Sequence, residues 1–219
     1  LEVEDCSIMN FYTYGVVLSN GNVLKANGNL FETNSGEYNT TYGISISSRG
    51  GQVEVDGNRI NPNSSSFGLI APRVGILVNH SPSTNGTVYI TNNSIAQIKT
   101  SQPNSFFYNR SLRGIVAQSG GSSPQFHILH NSVFQNSGTT SSRAIVVDAV
   151  TCAVQNNNLV QLGLGSLMSM ASTSGRFSDY NNLYAPTSRI GTSSGQTTLT
   201  GWQSSTNFDA NSVSIDPQF

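Results

Sequence analysis

Charge is the scarcest commodity in this chain. Of 219 residues, 10 are Lys or Arg and 11 are Asp or Glu, so charged residues make up 10%, against about a quarter in ordinary globular proteins. The formal net charge is -1, which leaves neither a basic field to capture nucleic acid or an anionic membrane nor an acidic one. Two cysteines build no disulfide framework and lack metal-ligand spacing. No apolar run reaches the length of a bilayer-crossing helix, and no signal-peptide pattern opens the chain. The first residue is not Met, and Leu1-Glu2-Val3 already reads as strand, as expected of a piece processed or excised from a longer protein. Polarity comes instead from 25 Asn, 34 Ser and 21 Gly, a composition of turns and strands, not helices.

One pattern recurs along the sequence. An apolar residue is followed by another two positions later, by a small residue or Asn three further on, and by an apolar residue two beyond that. It fits Leu1, Val3, Cys6, Ile8, then Val53, Val55, Asn58, Ile60, then Val88, Ile90, Asn93, Ile95. It returns as Phe126, Ile128, Asn131, Val133 and as Cys152, Val154, Asn157, Leu159, with weaker copies at Val23, Lys25, Gly28, Leu30 and at Arg176, Ser178, Asn181, Leu183. The third-column residues from Cys6 to Asn181 are 22, 30, 35, 38, 26 and 24 positions apart, an irregularity that fits constant strands joined by variable loops. A second strand falls between copies, at Gly15-Val16-Val17-Leu18, Gly43-Ile44-Ser45-Ile46, Gly75-Ile76-Leu77-Val78, Gly114-Ile115-Val116-Ala117 and Ala144-Ile145-Val146-Val147. Repeating short strands with insertions describe a solenoid whose coils stack about 4.8 Å apart. Asn58, Asn93, Asn131, Asn157 and Asn181 share one interior phase, where each buried amide is satisfied only if its neighbours are amides too. The expected fold is therefore all-β, a right-handed parallel β-helix of about seven coils with an interior asparagine ladder and little helix.

At these residues the chain resembles the right-handed parallel β-helix superfamily, the pectate-lyase-like fold of bacterial secreted and surface proteins. The resemblance covers residues 1–183. Residues 184–219, with Leu199, Trp202 and the run from Asp209 to Phe219, resemble the closing segment of such proteins and are expected to belong to the same domain, truncated from a longer chain.

Cys6 and Cys152 fall five coils apart, too far for a disulfide, and are expected to be buried thiols. His127 and His130 form an H-x-x-H, but three residues along a strand separate opposite faces, so no metal pair is expected; His80 is placed in a loop without a partner. The outward positions of the repeated strand read Glu2 and Glu4, Leu24 and Ala26, Glu54 and Asp56, Tyr89 and Thr91, His127 and Leu129, Ala153 and Gln155, Phe177 and Asp179. Glu54 and Asp56 would sit about 7 Å apart, near the separation of paired glycosidase carboxylates, yet two outward acids more often make a solvated face. Calcium at this pair is the one cofactor alternative, but two carboxylates underfill its oxygen shell, and no other cofactor is expected. The acidic calcium cluster with an adjacent base that marks the superfamily's lyases is missing, as are the hydrolases' paired Asp, Gly-His-Gly and Arg-Lys motifs. Arg113, Arg143 and Asp148 lie near the second strand on different coils, with no recognisable arrangement.

The resemblance then implies a noncatalytic, extracellular or cell-surface module of a larger bacterial protein, contacting polysaccharide or another surface partner. No catalytic or metal residues are assigned, and no nucleic-acid partner or membrane insertion is expected. The candidate ligand strip is Glu54, Asp56, Tyr89 and His127, where an aromatic ring packs on a sugar and polar neighbours fix its hydroxyls. The rival readings are a polysaccharide lyase or glycoside hydrolase, and a purely structural spacer. Two loops, 61–73 and 99–113, carry apolar residues expected to fold over the outward Val17, Leu77, Val116 and Val146 of the second strand.

Overall fold

The computed structural model describes residues 1–9, 11, 13–32, 41–61, 73–81, 86–98, 111–119, 124–136, 139–149, 151–170, 174–192 and 195–218. Each coil contributes three strands. The first coil holds β1 (Glu2–Glu4), β2 (Ser7–Met9) and β3 (Tyr14–Ser19), and the second β4 (Val23–Asn27), β5 (Leu30–Glu32) and β6 (Thr41–Ser48). The third holds β7 (Gln52–Asp56), β8 (Arg59–Asn61) and β9 (Arg73–His80), and the fourth β10 (Thr87–Thr91), β11 (Ser94–Ile98) and β12 (Leu112–Ser119). There follow β13 (Gln125–Leu129), β14 (Ser132–Asn136) and β15 (Arg143–Val147), then β16 (Thr151–Gln155), β17 (Asn158–Gln161) and β18 (Ser166–Met170). The seventh coil holds β19 (Arg176–Asp179), β20 (Asn182–Tyr184) and β21 (Arg189–Gly191), and helix α1 (Leu199–Thr206) comes after it.

Every third strand pairs, always in parallel, into three seven-stranded sheets. Sheet A runs β1-β4-β7-β10-β13-β16-β19, sheet B runs β2-β5-β8-β11-β14-β17-β20, and sheet C runs from β3 to β21. This is a right-handed parallel β-helix. The inward rows are almost wholly aliphatic, for example Ile44, Ile76, Ile115, Ile145 and Met168 in register along sheet C, each fully buried. A fully buried side chain of this size stabilises by about 1.5–3 kcal/mol, so the stack of rows carries the fold. In β6 only glycine fits at position 43, because a Cβ on Gly43 would lie 2.7 Å from the Gly75 carbonyl oxygen and 2.9 Å from Ile60.

The bend from sheet A to sheet B is built from two columns. The first holds Asp5, Gly28, Gly57, Asn92, His130, Asn156 and Tyr180, all left-handed with φ between 51° and 64°. The second, one residue on, is the ladder. The Asn58 backbone N–H and Nδ2 both donate to Asn93 Oδ1, at 3.0 and 2.9 Å, and the linkage repeats from Asn93 to Asn131, Asn131 to Asn157 and Asn157 to Asn181. Each Nδ2 also donates to a strand carbonyl of the preceding coil, as Asn93 does to Val55 at 2.8 Å. All the ladder amides are thus satisfied without water.

The left-handed column corrects the register of the second coil. Gly28 is the bend residue and Asn29 the ladder residue, so Leu24, Ala26 and Phe31 point inward and are fully buried, while Val23 and Lys25 face out. The expected copy at Val23, Lys25, Gly28 and Leu30 was one residue out of phase, and the ladder gains a sixth amide. Cys6 is a second correction. It stands in the ladder column, its N–H donating to Asn29 Oδ1 at 3.0 Å, but its thiol is exposed. Cys152 is buried as expected, and burial pushes its thiol pKa up to about 12. His80 is a third, for it ends strand β9 with its ring fully buried and edge-on to Phe126.

Beyond the seventh coil the ladder ends on a carboxylate. Asp209 Oδ1 accepts from Asn181 Nδ2, Ser178 Oγ and Ser212 Oγ at 2.9, 3.0 and 2.7 Å, and its Oδ2 accepts from Trp202 Nε1 at 2.8 Å. Helix α1 brings that buried tryptophan over Gly191, where any side chain would strike the indole. The outer face of sheet C carries a separate apolar cluster of Val74, Val116 and Val146 with Tyr42 and Leu77, while Val17 is exposed. The loops expected to cover this face lie, apart from their ends, outside the described residues.

Candidate functional site

The outer surface of sheet A consists of rows at the strand spacing, fixed by the inward rows beneath them. One row runs Glu2, Lys25, Glu54, Tyr89, His127, Ala153 and Phe177, each residue paired with the next. The structure therefore brings Glu54, Tyr89 and His127 together on consecutive strands. Asp56 stands in the neighbouring row with Asn27, Thr91, Leu129, Gln155 and Asp179.

Tyr89 and His127 stack with ring centroids 5.0 Å apart and planes 15° from parallel. That geometry uses one face of each ring on the other. The remaining face of His127 looks along the row towards Ala153, whose methyl leaves a gap before Phe177, itself 48% exposed. His127 and Phe177 are two strand spacings apart, about 9.6 Å at the backbone. That spacing is about twice the separation at which aromatic rings stack. Sequence reasoning placed Ala153 and Phe177 outward but did not join them to the strip; the signal was the small residue between two aromatics in one column.

The carboxylates are tied down. Asn27 Nδ2 donates to Glu54 Oε1 at 3.1 Å and to Glu4 Oε1 at 3.3 Å, and Asp56 Oδ1 accepts from Thr91 Oγ1 and from Asn92 Nδ2, the latter at 2.8 Å. Lys25 Nζ lies 3.4 Å from Glu2, whose hydrogen bond and charge raise the lysine pKa. Asp179, at the far end, is buried: burial opposes its charge, but donors from Asn211 and Tyr180 outweigh that and hold the carboxyl below its usual pKa. Among the described residues no group of three or more His, Cys, Asp or Glu stands close enough to hold a metal ion. His127 lies on the strand and His130 in the bend, one half-buried and the other exposed.

Sheet C presents a different surface. Tyr14 and Tyr42 stack with centroids 5.0 Å apart, and the same outward row continues through Val74, Arg113, Arg143, Ser166 and Arg189. Arg113 and Arg143, which the sequence left unrelated, are direct register partners. No helix among the described residues is long and apolar enough to cross a membrane. Comparison with protein-family models, with curated proteins and with solved structures found no match in any of the three. The architecture and its surface rows are therefore the ground for a functional reading.

Proposed function

We propose that this chain is a noncatalytic module of a larger secreted or cell-surface bacterial protein of the pectate-lyase-like superfamily, and that it contacts polysaccharide through the outer face of sheet A. The observation that carries the reading is the row Glu54, Tyr89, His127, Ala153, Phe177, in which an aromatic pair and a third aromatic flank a one-residue gap. A pyranose seated over Ala153 packs its apolar faces against His127 and Phe177. Gln155 and Leu129 border the gap from the next row, and Glu54 and Asp56 offer hydroxyl acceptors further along the rod for a second sugar unit. The rigid coil spacing suits a polymer, since equivalent contacts recur along one axis.

The test is affinity electrophoresis or glycan-array binding of the wild type and of a Tyr89→Ala, His127→Ala double variant. The double variant should lose most retention; unchanged binding removes the strip. Incubation with acidic polysaccharides and calcium separates the readings further, because release of unsaturated or new reducing ends would make the chain a lyase or hydrolase. A rod that neither binds nor cleaves any glycan is a spacer.

A further inference from the structure

The seven strands of sheet C contain Arg73, Arg113, Arg143 and Arg189 and not one Asp or Glu. In a chain with 10 basic residues, three of these, Arg113, Arg143 and Arg189, stand in a single outward row. Arg143 pairs with Ser166 and Ser166 with Arg189, so a small side chain sits between two guanidinium-bearing positions. The backbones of the two arginines are therefore about 9.6 Å apart with a floor of Ser166 between them. A cleft of about 490 Å³ opens at that point, lined by Arg143, Arg189, Ser166, Thr140 and Leu164 among others. Its size falls within the range of small-molecule sites.

The guanidinium of Arg143 is anchored at one corner. Its Nη1 donates to the carbonyls of Thr140 at 2.6 Å and Ser142 at 2.7 Å, which fixes the planar fork beside the cleft. Burial, and then the like charges of Arg113 and Arg189, push the Arg143 pKa down. Among the described residues no carboxylate forms an ion pair with Arg143 or Arg189. Arg143 and Arg189, like charges flanking Ser166 with no counter-charge among the described residues, cost free energy, and a bound anion removes that cost. We propose that this cleft binds a tetrahedral oxyanion, phosphate or sulfate, free or carried as an ester, between Arg143 and Arg189 over Ser166. A multiply charged oxyanion with several acceptor oxygens matches two forks on opposite walls, whereas a monovalent carboxylate engages one. The site lies on another sheet from the glycan strip and does not depend on that reading.

The experiment titrates the intact chain with sodium phosphate, sodium sulfate, methyl phosphate and sodium acetate. Sodium chloride holds the ionic strength constant, so that general screening of the arginines is common to all arms. Melting temperature and isothermal calorimetry are read for the wild type and for Arg189→Gln, Arg143→Gln and Tyr89→Ala. The wild type should show a saturable rise in Tm with phosphate or sulfate above the chloride baseline. Affinity should fall at least tenfold in Arg189→Gln and Arg143→Gln and stay unchanged in Tyr89→Ala. Arg189 is exposed and, among the described residues, its side chain donates to no carbonyl, so Arg189→Gln keeps the test open even if Arg143→Gln fails to fold. If methyl phosphate matches phosphate the site takes an ester; if it is tenfold weaker the site takes the free ion. No response above chloride, a response to acetate alone, or wild-type affinity in Arg189→Gln overturns the proposal.

Discussion

The outer faces of sheets A and C share one backbone geometry and carry opposite chemistries. Sheet A strands bear Glu2, Glu4, Glu54, Asp56 and Asp179 against Lys25 and Arg176, with aromatic rings in one row. Sheet C strands bear arginine and no carboxylate, with a satellite apolar cluster at Val74, Val116 and Val146. Inside, the two sheets contribute interchangeable aliphatic rows to one core. The difference teaches that the solenoid separates stability from recognition: inward rows and the ladder hold the coils, and outward rows are free to vary by face. It follows that damage to the interior should remove both faces together, and damage to one face should leave the other intact.

The largest effect is expected from breaking what the faces share. In Asn93→Leu the Asn58 N–H loses its acceptor, Asn58 Nδ2 keeps only carbonyl acceptors such as Ala26, and the Val55 carbonyl loses the Asn93 donor, all at buried positions. Orphaning several buried polar groups costs about 3 kcal/mol or more, so urea unfolding should show a loss of that order, with glycan and anion binding falling together. A loss below about 1 kcal/mol would mean that the ladder does not hold the coils, and that the faces have some other common support.

A middle-sized effect belongs to His80, which joins the two sheets at the corner. It ends β9 of sheet C, its ring is fully buried against Phe126 of sheet A, and among the described residues neither ring nitrogen has a hydrogen-bond partner. Burial lowers its pKa from the ordinary value of 6.5, so the fold favours the neutral ring. The unfolded chain then binds the proton more readily, and stability that is complete above about pH 6.5 declines as pH falls towards the folded pKa. The slope contributed by one such group is at most about 1.4 kcal/mol per pH unit. Denaturant midpoints measured from pH 7.5 to 5 should fall more steeply for the wild type than for His80→Leu; parallel curves would show that His80 is not held neutral.

How much of this was legible in the sequence depends on whether a residue's partner shares its phase. Asn58, Asn93, Asn131, Asn157 and Asn181 were readable because a ladder position repeats with the coil and its partner is another Asn at the same phase. The second coil misled because Val23-Leu24 and Leu30-Phe31 are apolar at both phases, and Gly28 is small enough to imitate a ladder residue. Only the left-handed bend column distinguishes Gly28 from Asn29, and backbone sign is not written in hydrophobicity. Exposure of Cys6 depends on what packs over its thiol from elsewhere in the chain, which is not a local property. The Asp209 and Trp202 cap was illegible for a similar reason, since its partners Ser178 and Asn181 lie 31 and 28 residues away from Asp209 and do not repeat. On the surface, Glu54, Tyr89 and His127 could be aligned from the strand pattern. The arginine row could not, because two of its members are separated by an intervening coil whose contribution is serine.

The smallest effect on stability should give the sharpest separation of the faces. Ala153→Phe places an aromatic ring in the only small position between His127 and Phe177, extending the Tyr89–His127 stack across the gap. Aromatic residues suit an outward strand position, and cross-strand aromatic neighbours contribute roughly 0.2–1 kcal/mol, so the unfolding midpoint should hold or rise slightly. If a sugar ring occupies that gap, the new side chain fills it, and glycan affinity should fall at least tenfold while phosphate or sulfate binding at Arg143 and Arg189 is unchanged. A steric loss of this kind differs from the Tyr89→Ala, His127→Ala test, in which aromatic surface is removed: one variant adds ring area and the other subtracts it. Loss in both assigns the contact to the gap itself, whereas retention in Ala153→Phe moves the sugar to the Glu54 side of Tyr89, where the open ring face meets the Asn27-tethered carboxylate.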